Sequence, residues 1–130
     1  THDMSPLRLW WEENPARTQH YWKSMLQKDG RAPRHLPPMI AEEIITRHLY
    51  CPSMICMMSI QDWLSMDSNF NRPDLFSLRI NAPYDAYNQW KFRMKPTIDD
   101  LLSADQFNNK IKTMITRSFR NNEELEKKED

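Results

Sequence analysis

Glycine is almost missing from this chain: Gly30 is the only one in 130 residues. With a single glycine neither a P-loop nor a dinucleotide-binding fingerprint can be written, so glycine-rich phosphate sites are excluded. An all-β domain of tight hairpins is disfavoured for the same reason, because its turns need residues at positive φ. A net charge is missing too. Lys and Arg number 18, Asp and Glu number 18, and the formal net charge is zero. A duplex-DNA binder needs a basic face to displace counterions, and attachment to anionic lipid by charge needs one as well. No nucleic acid and no membrane is therefore expected as a partner. No apolar run approaches the roughly 18 residues of a membrane span, and no signal-peptide pattern is present. Cysteine is scarce: Cys51 and Cys56 form neither a CxxC motif nor half of a paired cluster. Reduced core thiols in a cytoplasmic chain are the expectation. His20, His35 and His48 have no metal-ligand spacing with each other or with a cysteine, so no metal and no cofactor is expected. Ser53 has no glycine beside it and no nucleophile elbow.

What the chain has in quantity is tryptophan. There are five, and residues this large and flat bury a core, stack on a ligand, or do both. Their helical spacing favours core for most of them. Ser5-Pro6 reads as a helix N-cap followed by the first helical position, with Leu7, Trp10 and Trp11 on one side of a short helix. Asn14-Pro15 repeats the signal, and Thr18, Tyr21, Trp22, Met25 and Leu26 follow at helical spacing until Asp29-Gly30 stops them. After a proline-rich loop, Ile40, Ile44, Ile45, His48 and Leu49 predict the buried stripe of a third helix. QDWLSMD is expected to be a polar turn leading into a short helix, another helix is capped by Thr97, and a last one carries Phe107, Ile111, Met114, Ile115 and Phe119. Ser103 and Gln106 are expected to form a capping box for that last helix. The charged run from Asn121 to Asp130 should fray.

One segment breaks the helical pattern. MICMMSI, residues 54–60, is short and apolar on both faces, which predicts a strand buried on both sides as in a parallel sheet or barrel. A single such strand has no sheet to join. The pattern predicts a chain that is mainly α on its own, yet looks like the last βα stretch of an α/β protein. The abrupt start at Thr1 points the same way, to a segment of something longer.

Five pieces then occur together in order. THDMSPLRLWWEE resembles the THDMS-LRGWWEE stretch of 4-α-glucanotransferases of the amylomaltase or disproportionating-enzyme group, glycoside hydrolase family 77. HLYCPSM and IQDWL resemble that family's HLYSPSM and LQDWL, and RINAP followed by WKFRM resembles its RIN-P and W-R-Y-R-M. The resemblance covers roughly residues 1–103, leaving 104–130 as a terminal helix with a charged tail. It implies the C-terminal part of a (β/α)₈ barrel, with His2-Asp3 at the end of the seventh strand and 54–60 as the eighth; in such barrels catalytic groups stand at the C-terminal ends of strands.

By the same resemblance Asp3 matches the family's third catalytic carboxylate, His2 a neighbouring histidine that contacts the sugar, and Asn81 a loop that closes over the donor site. The implied substrates are α-1,4-glucans and maltooligosaccharides of starch and glycogen metabolism. The implied chemistry is a retaining double displacement, in which one carboxylate attacks and another protonates the leaving oxygen. That nucleophile and acid/base lie on earlier strands, so the remainder of the barrel is the expected partner and the 130 residues alone are expected to be inactive. Three positions depart from the family pattern: Leu9 stands for its glycine, Leu78 for its glutamate and Lys91 for its first arginine. Read without the resemblance, Asp3 is a carboxylate near a helix dipole and Asn81 a solvated loop residue. The chain as a whole is then a small helical interaction module or, less in keeping with its helical pattern, a carbohydrate-binding module.

Overall fold

The computed structural model describes residues 3–70, 78–85, 87, 90 and 92–120. Among them are six helices: α1 (Leu7–Glu13), α2 (Pro15–Ser24), α3 (Pro38–Leu49), α4 (Ile60–Leu64), α5 (Ile98–Leu102) and α6 (Asp105–Arg117). The chain is mainly helical, as its periodicity implies, and the described residues contain no strand. The expected fraying of 121–130 lies outside the described residues.

Local chemistry accounts for three of the six helix starts among the described residues; at α1 the expected cap at Ser5 does not form, since Pro6 takes the N-cap position and the Ser5 hydroxyl bonds Glu13. Asn14 caps α2 by accepting from the Arg17 amide at 3.0 Å, with Pro15 at the first helical position where no N–H is needed. Ser59 with Asp62, and Thr97 with Asp100, close reciprocal capping boxes on α4 and α5. The capping box expected at Ser103 does not form. Ser103 ends α5, donating its hydroxyl to the Asp99 carbonyl at 2.7 Å, and α6 starts from Ala104 without a side-chain cap. One hydroxyl at the junction of two helices serves the first and is lost to the second. The α2 helix also stops earlier than Gly30 implies, because Gln27 takes a left-handed φ of 55° and turns the chain back so that the Lys28 amide meets the Trp22 carbonyl.

A single core joins these helices. Ile40, Ala41, Ile44, Ile45 and Leu49 form the buried stripe of α3, while His48 lies outside it, exposed, with Nδ1 against the Ile44 carbonyl. Trp11 is 1% exposed and sits in the same cluster as Leu36, Leu64, Met66 and Phe107. Its indole N–H donates to the Pro33 carbonyl at 3.0 Å, the partner a buried tryptophan requires. Edge-to-face contacts pair Trp11 with Trp22 and Trp10 with Tyr21. Trp90 departs from the core expectation: it is exposed, at φ 55°. Leu9 is buried in α1 and adds to the core area. The buried Glu12 carboxylate accepts from Arg8 Nε at 3.2 Å and pairs with His35 Nδ1 at 2.6 Å, which fastens the 33–36 loop onto α1. At the far end Arg120 reaches the carbonyls of Cys51 and Ser53 at 2.7 and 2.9 Å, tying the end of α6 to the turn after α3. The two cysteines are free and half-buried around that turn rather than in the core. Hydrogen bonding with Ser53, aided by the Arg120 guanidinium, holds the Cys51 thiol below its ordinary range.

The segment 54–60 is the largest departure from expectation. It is neither a strand nor buried on both faces, and Ile60 already belongs to α4. Cys56 and Met58 pack against the core, while Met54, Ile55 and Met57 point outward, with Met54 95% and Met57 90% exposed. This alternation is that of extended chain with one face covered. An extended segment becomes a strand only when a neighbour supplies ladder hydrogen bonds. Contiguous apolar surface of this kind is sticky. The 130-residue chain is therefore expected to self-associate, with an apparent mass in sedimentation equilibrium that rises with concentration. Met57→Lys should reduce the association; a wild-type chain that stays monomeric across the concentration range would show the bare face to be innocuous.

Candidate functional site

Three of the quoted motifs converge in space. Asp3, from the first, accepts a hydrogen bond from the Asn81 side-chain amide of RINAP at 2.6 Å, across 78 residues of sequence. Two of the three expected site residues are thus brought together. The third, His2, lies outside the described residues, as does Lys91. Asp3 is exposed and Asn81 half-buried. A carboxylate offers about four lone-pair sites, of which the Asn81 bond uses one. The amide therefore orients the carboxylate.

The surrounding contacts hold this pair from both sides. Glu13, of the WWEE stretch, accepts from the Ser5 hydroxyl at 3.1 Å, from Arg79 at 3.1 Å and from Arg17 at 3.2 Å. One carboxylate thereby clamps the segment two residues after Asp3 to the segment two residues before Asn81. Asp62, of IQDWL, accepts from the Leu7 amide at 2.7 Å, and its neighbour Gln61 donates to the Leu78 carbonyl. Leu78 is buried, and its backbone carries the polar bond while its side chain stays apolar. Beside the pair an open cavity of about 310 Å³ is lined by Met4, Ser5, Met57, Gln61, Asp62 and Ile80 among others. That is the lower end of the size of ligand clefts.

These contacts bear on the modest alternative for Asp3. A carboxylate four residues ahead of α1 could serve the orphan amides of that helix. The Leu7 amide is taken by Asp62 instead, and Asp3 faces Asn81. Among the described residues no group of three His, Cys, Asp or Glu side chains could hold a metal ion, and no described helix is long and apolar enough to cross a membrane.

Sequence reasoning assigned no role to Glu13, Gln61, Asp62 or Arg79. A signal existed for Asp62: Ser59 followed by an acidic residue three positions on is the pattern of a capping box. Nothing local marks the second oxygen of Asp62 as the cap of a different helix.

The sequence profile of the 4-alpha-glucanotransferases matches residues 1–99, and the chain belongs to that family. Among its relatives is the protein named 4-alpha-glucanotransferase DPE2 of rice, Oryza sativa subsp. japonica, 31% identical over 119 residues, which are 92% of this chain and 13% of that protein. Proteins named 4-alpha-glucanotransferase in Chlamydia caviae and Chlamydia trachomatis are 28% and 29% identical over 122 residues, covering 90% and 88% of this chain and 22% and 21% of theirs. The chain thus spans between about an eighth and a quarter of the length of these relatives. No solved structure matches.

Proposed function

We propose that this chain is the C-terminal part of a retaining 4-α-glucanotransferase, which moves α-1,4-glucan segments between maltooligosaccharides. In this reading residues 1–103 complete a (β/α)₈ barrel, with Asp3 at the end of its seventh strand and 54–60 as its eighth, and 104–130 are a terminal extension. Family membership supports the activity. The alternating exposure of residues 55–58 supports the strand, since its bare side is the side a barrel would cover. Two free cysteines accord with a cytoplasmic setting.

The observation that carries the site assignment is the bond between Asp3 and Asn81. Asp3 neither attacks nor protonates. It accepts hydroxyls of the sugar at the cleavage point, and those bonds strengthen as the ring flattens toward an oxocarbenium ion. Asn81 fixes the carboxylate and closes the donor side, and His2 donates to the same sugar. The nucleophile and the acid/base come from the remainder of the barrel.

The test is the reaction of the full encoded protein with maltotriose. Glucose should appear together with maltooligosaccharides longer than three units, all with retained α linkages. Release of glucose with no longer products would make the protein a hydrolase, and an unchanged substrate would remove the assignment.

A further inference from the structure

We propose that Gln61 and Asp62 are positioning residues for glucan transfer, a two-armed bracket that sets Asp3 against Asn81. The inference rests on the reading of Asp3 given above. Asp62 stands in the first turn of α4, and its carboxylate does two things. One oxygen accepts from the Ser59 amide at 3.3 Å, closing the capping box of its own helix. The other accepts from the Leu7 amide at 2.7 Å, 55 residues away. Pro6, at the N-cap position of α1, offers no side-chain bond of its own, so α1 takes its cap from α4. Leu7 lies four residues after Asp3, and fixing the first amide of α1 fixes where the chain leaves Asp3.

Gln61 forms the other arm. Its side chain is buried, and its amide donates to the carbonyl of Leu78, three residues before Asn81. Consecutive residues on a helix point about 100° apart, so neighbours 61 and 62 reach two different segments from one rigid turn. The α4 helix has five residues, locked at its start by reciprocal bonds. Its short first turn therefore defines the spacing of the two strands of chain that carry the carboxylate and the amide. A displacement near 1 Å at a catalytic group can cost about 100-fold in rate, which is why such a bracket matters to turnover without touching substrate.

The test is made in the full encoded transferase, with kcat and KM on maltotriose. Asp62→Ala and Gln61→Met, the latter keeping volume and helix propensity but lacking the donor, should each lower kcat by about 10- to 100-fold with KM changed less than about twofold. Asp62→Asn retains an oxygen for the Leu7 amide and should recover most of the loss. The deciding measurement is each variant in an Asp3→Asn background. A residue that acts through Asp3 should then have nearly no further effect on kcat. Losses that multiply undiminished onto Asp3→Asn, or unchanged kcat in both single variants, would overturn the bracket and leave the reading of Asp3 standing. Should Asp62→Ala fail to fold, Gln61→Met decides alone. An Asp3→Asn variant with wild-type turnover would instead overturn the reading on which the bracket rests.

Discussion

Asp3→Asn in the full transferase should lower kcat on the order of 10³-fold or more, with far less change in ground-state affinity. The substitution is nearly isosteric. It keeps an oxygen that can still accept from the Asn81 amide, so the 2.6 Å contact that fixes the side chain has a replacement. What it removes is the negative charge and half of the acceptor capacity. Hydrogen bonds to an ionised group contribute about 1.5–3 kcal/mol each, and two of them strengthening on the flattened ring amount to about 4 kcal/mol of transition-state binding. That is the thousandfold. Because Asp3 is exposed and lies outside every helix, the melting temperature should hardly move. Steady-state kinetics with a thermal melt of the same preparation check both halves. Near wild-type turnover would return Asp3 to the role of an ordinary surface carboxylate.

Most helices were legible because their causes are local, but QDWL, expected as a polar turn ahead of a helix, is itself the body of α4. Asn14-Pro15 and Thr97 start helices through bonds within three residues, and the stripe on α3 is a matter of spacing. The misreadings occur where a residue had two claims on it or where no local signal exists. Ser103 could end one helix or start the next, and it ends the first. Gln27 turns the chain at positive φ although nothing in a glutamine announces it. MICMMSI has the composition of a buried strand, but composition specifies what a segment would do with neighbours, and the described residues supply cover on one face only. The site was legible in part. Resemblance picked out Asp3 and Asn81 separately, yet no spacing rule connects residues 78 positions apart, and the groups that join them, Glu13 with Arg79 and Gln61 with Asp62, work through backbone and ion-pair contacts visible only in three dimensions. Leu9, Trp11 and Trp22 also show why tryptophans at helical spacing read as core. A helix that buries Trp11 edge-to-face against Trp22 of α2 has no flat ring left on that face for a sugar.

The 130 residues by themselves should transfer no glucan. A retaining displacement needs an attacking carboxylate and a protonating one about 5–5.5 Å apart across the glycosidic bond, besides the group that steadies the sugar hydroxyls. The acidic residues that share the corner with Asp3 are already committed. Asp62 accepts two backbone amides, Glu13 holds Ser5, Arg17 and Arg79 together, and Glu12 is buried under Arg8 and His35. None can approach an anomeric carbon without abandoning bonds that shape the site. Stabilising hydroxyls without a nucleophile leaves the covalent step undone, and the whole catalytic gain of a retaining enzyme, many orders of magnitude, is then forfeited. The purified chain incubated with maltotriose should give no glucose and no longer oligosaccharide above the blank, while the full encoded protein under the same conditions gives both. Turnover that co-purifies with the 130-residue chain and disappears in its Asp3→Asn variant would mean that a nucleophile lies within these residues, and the division of labour proposed for the barrel would have to be redrawn.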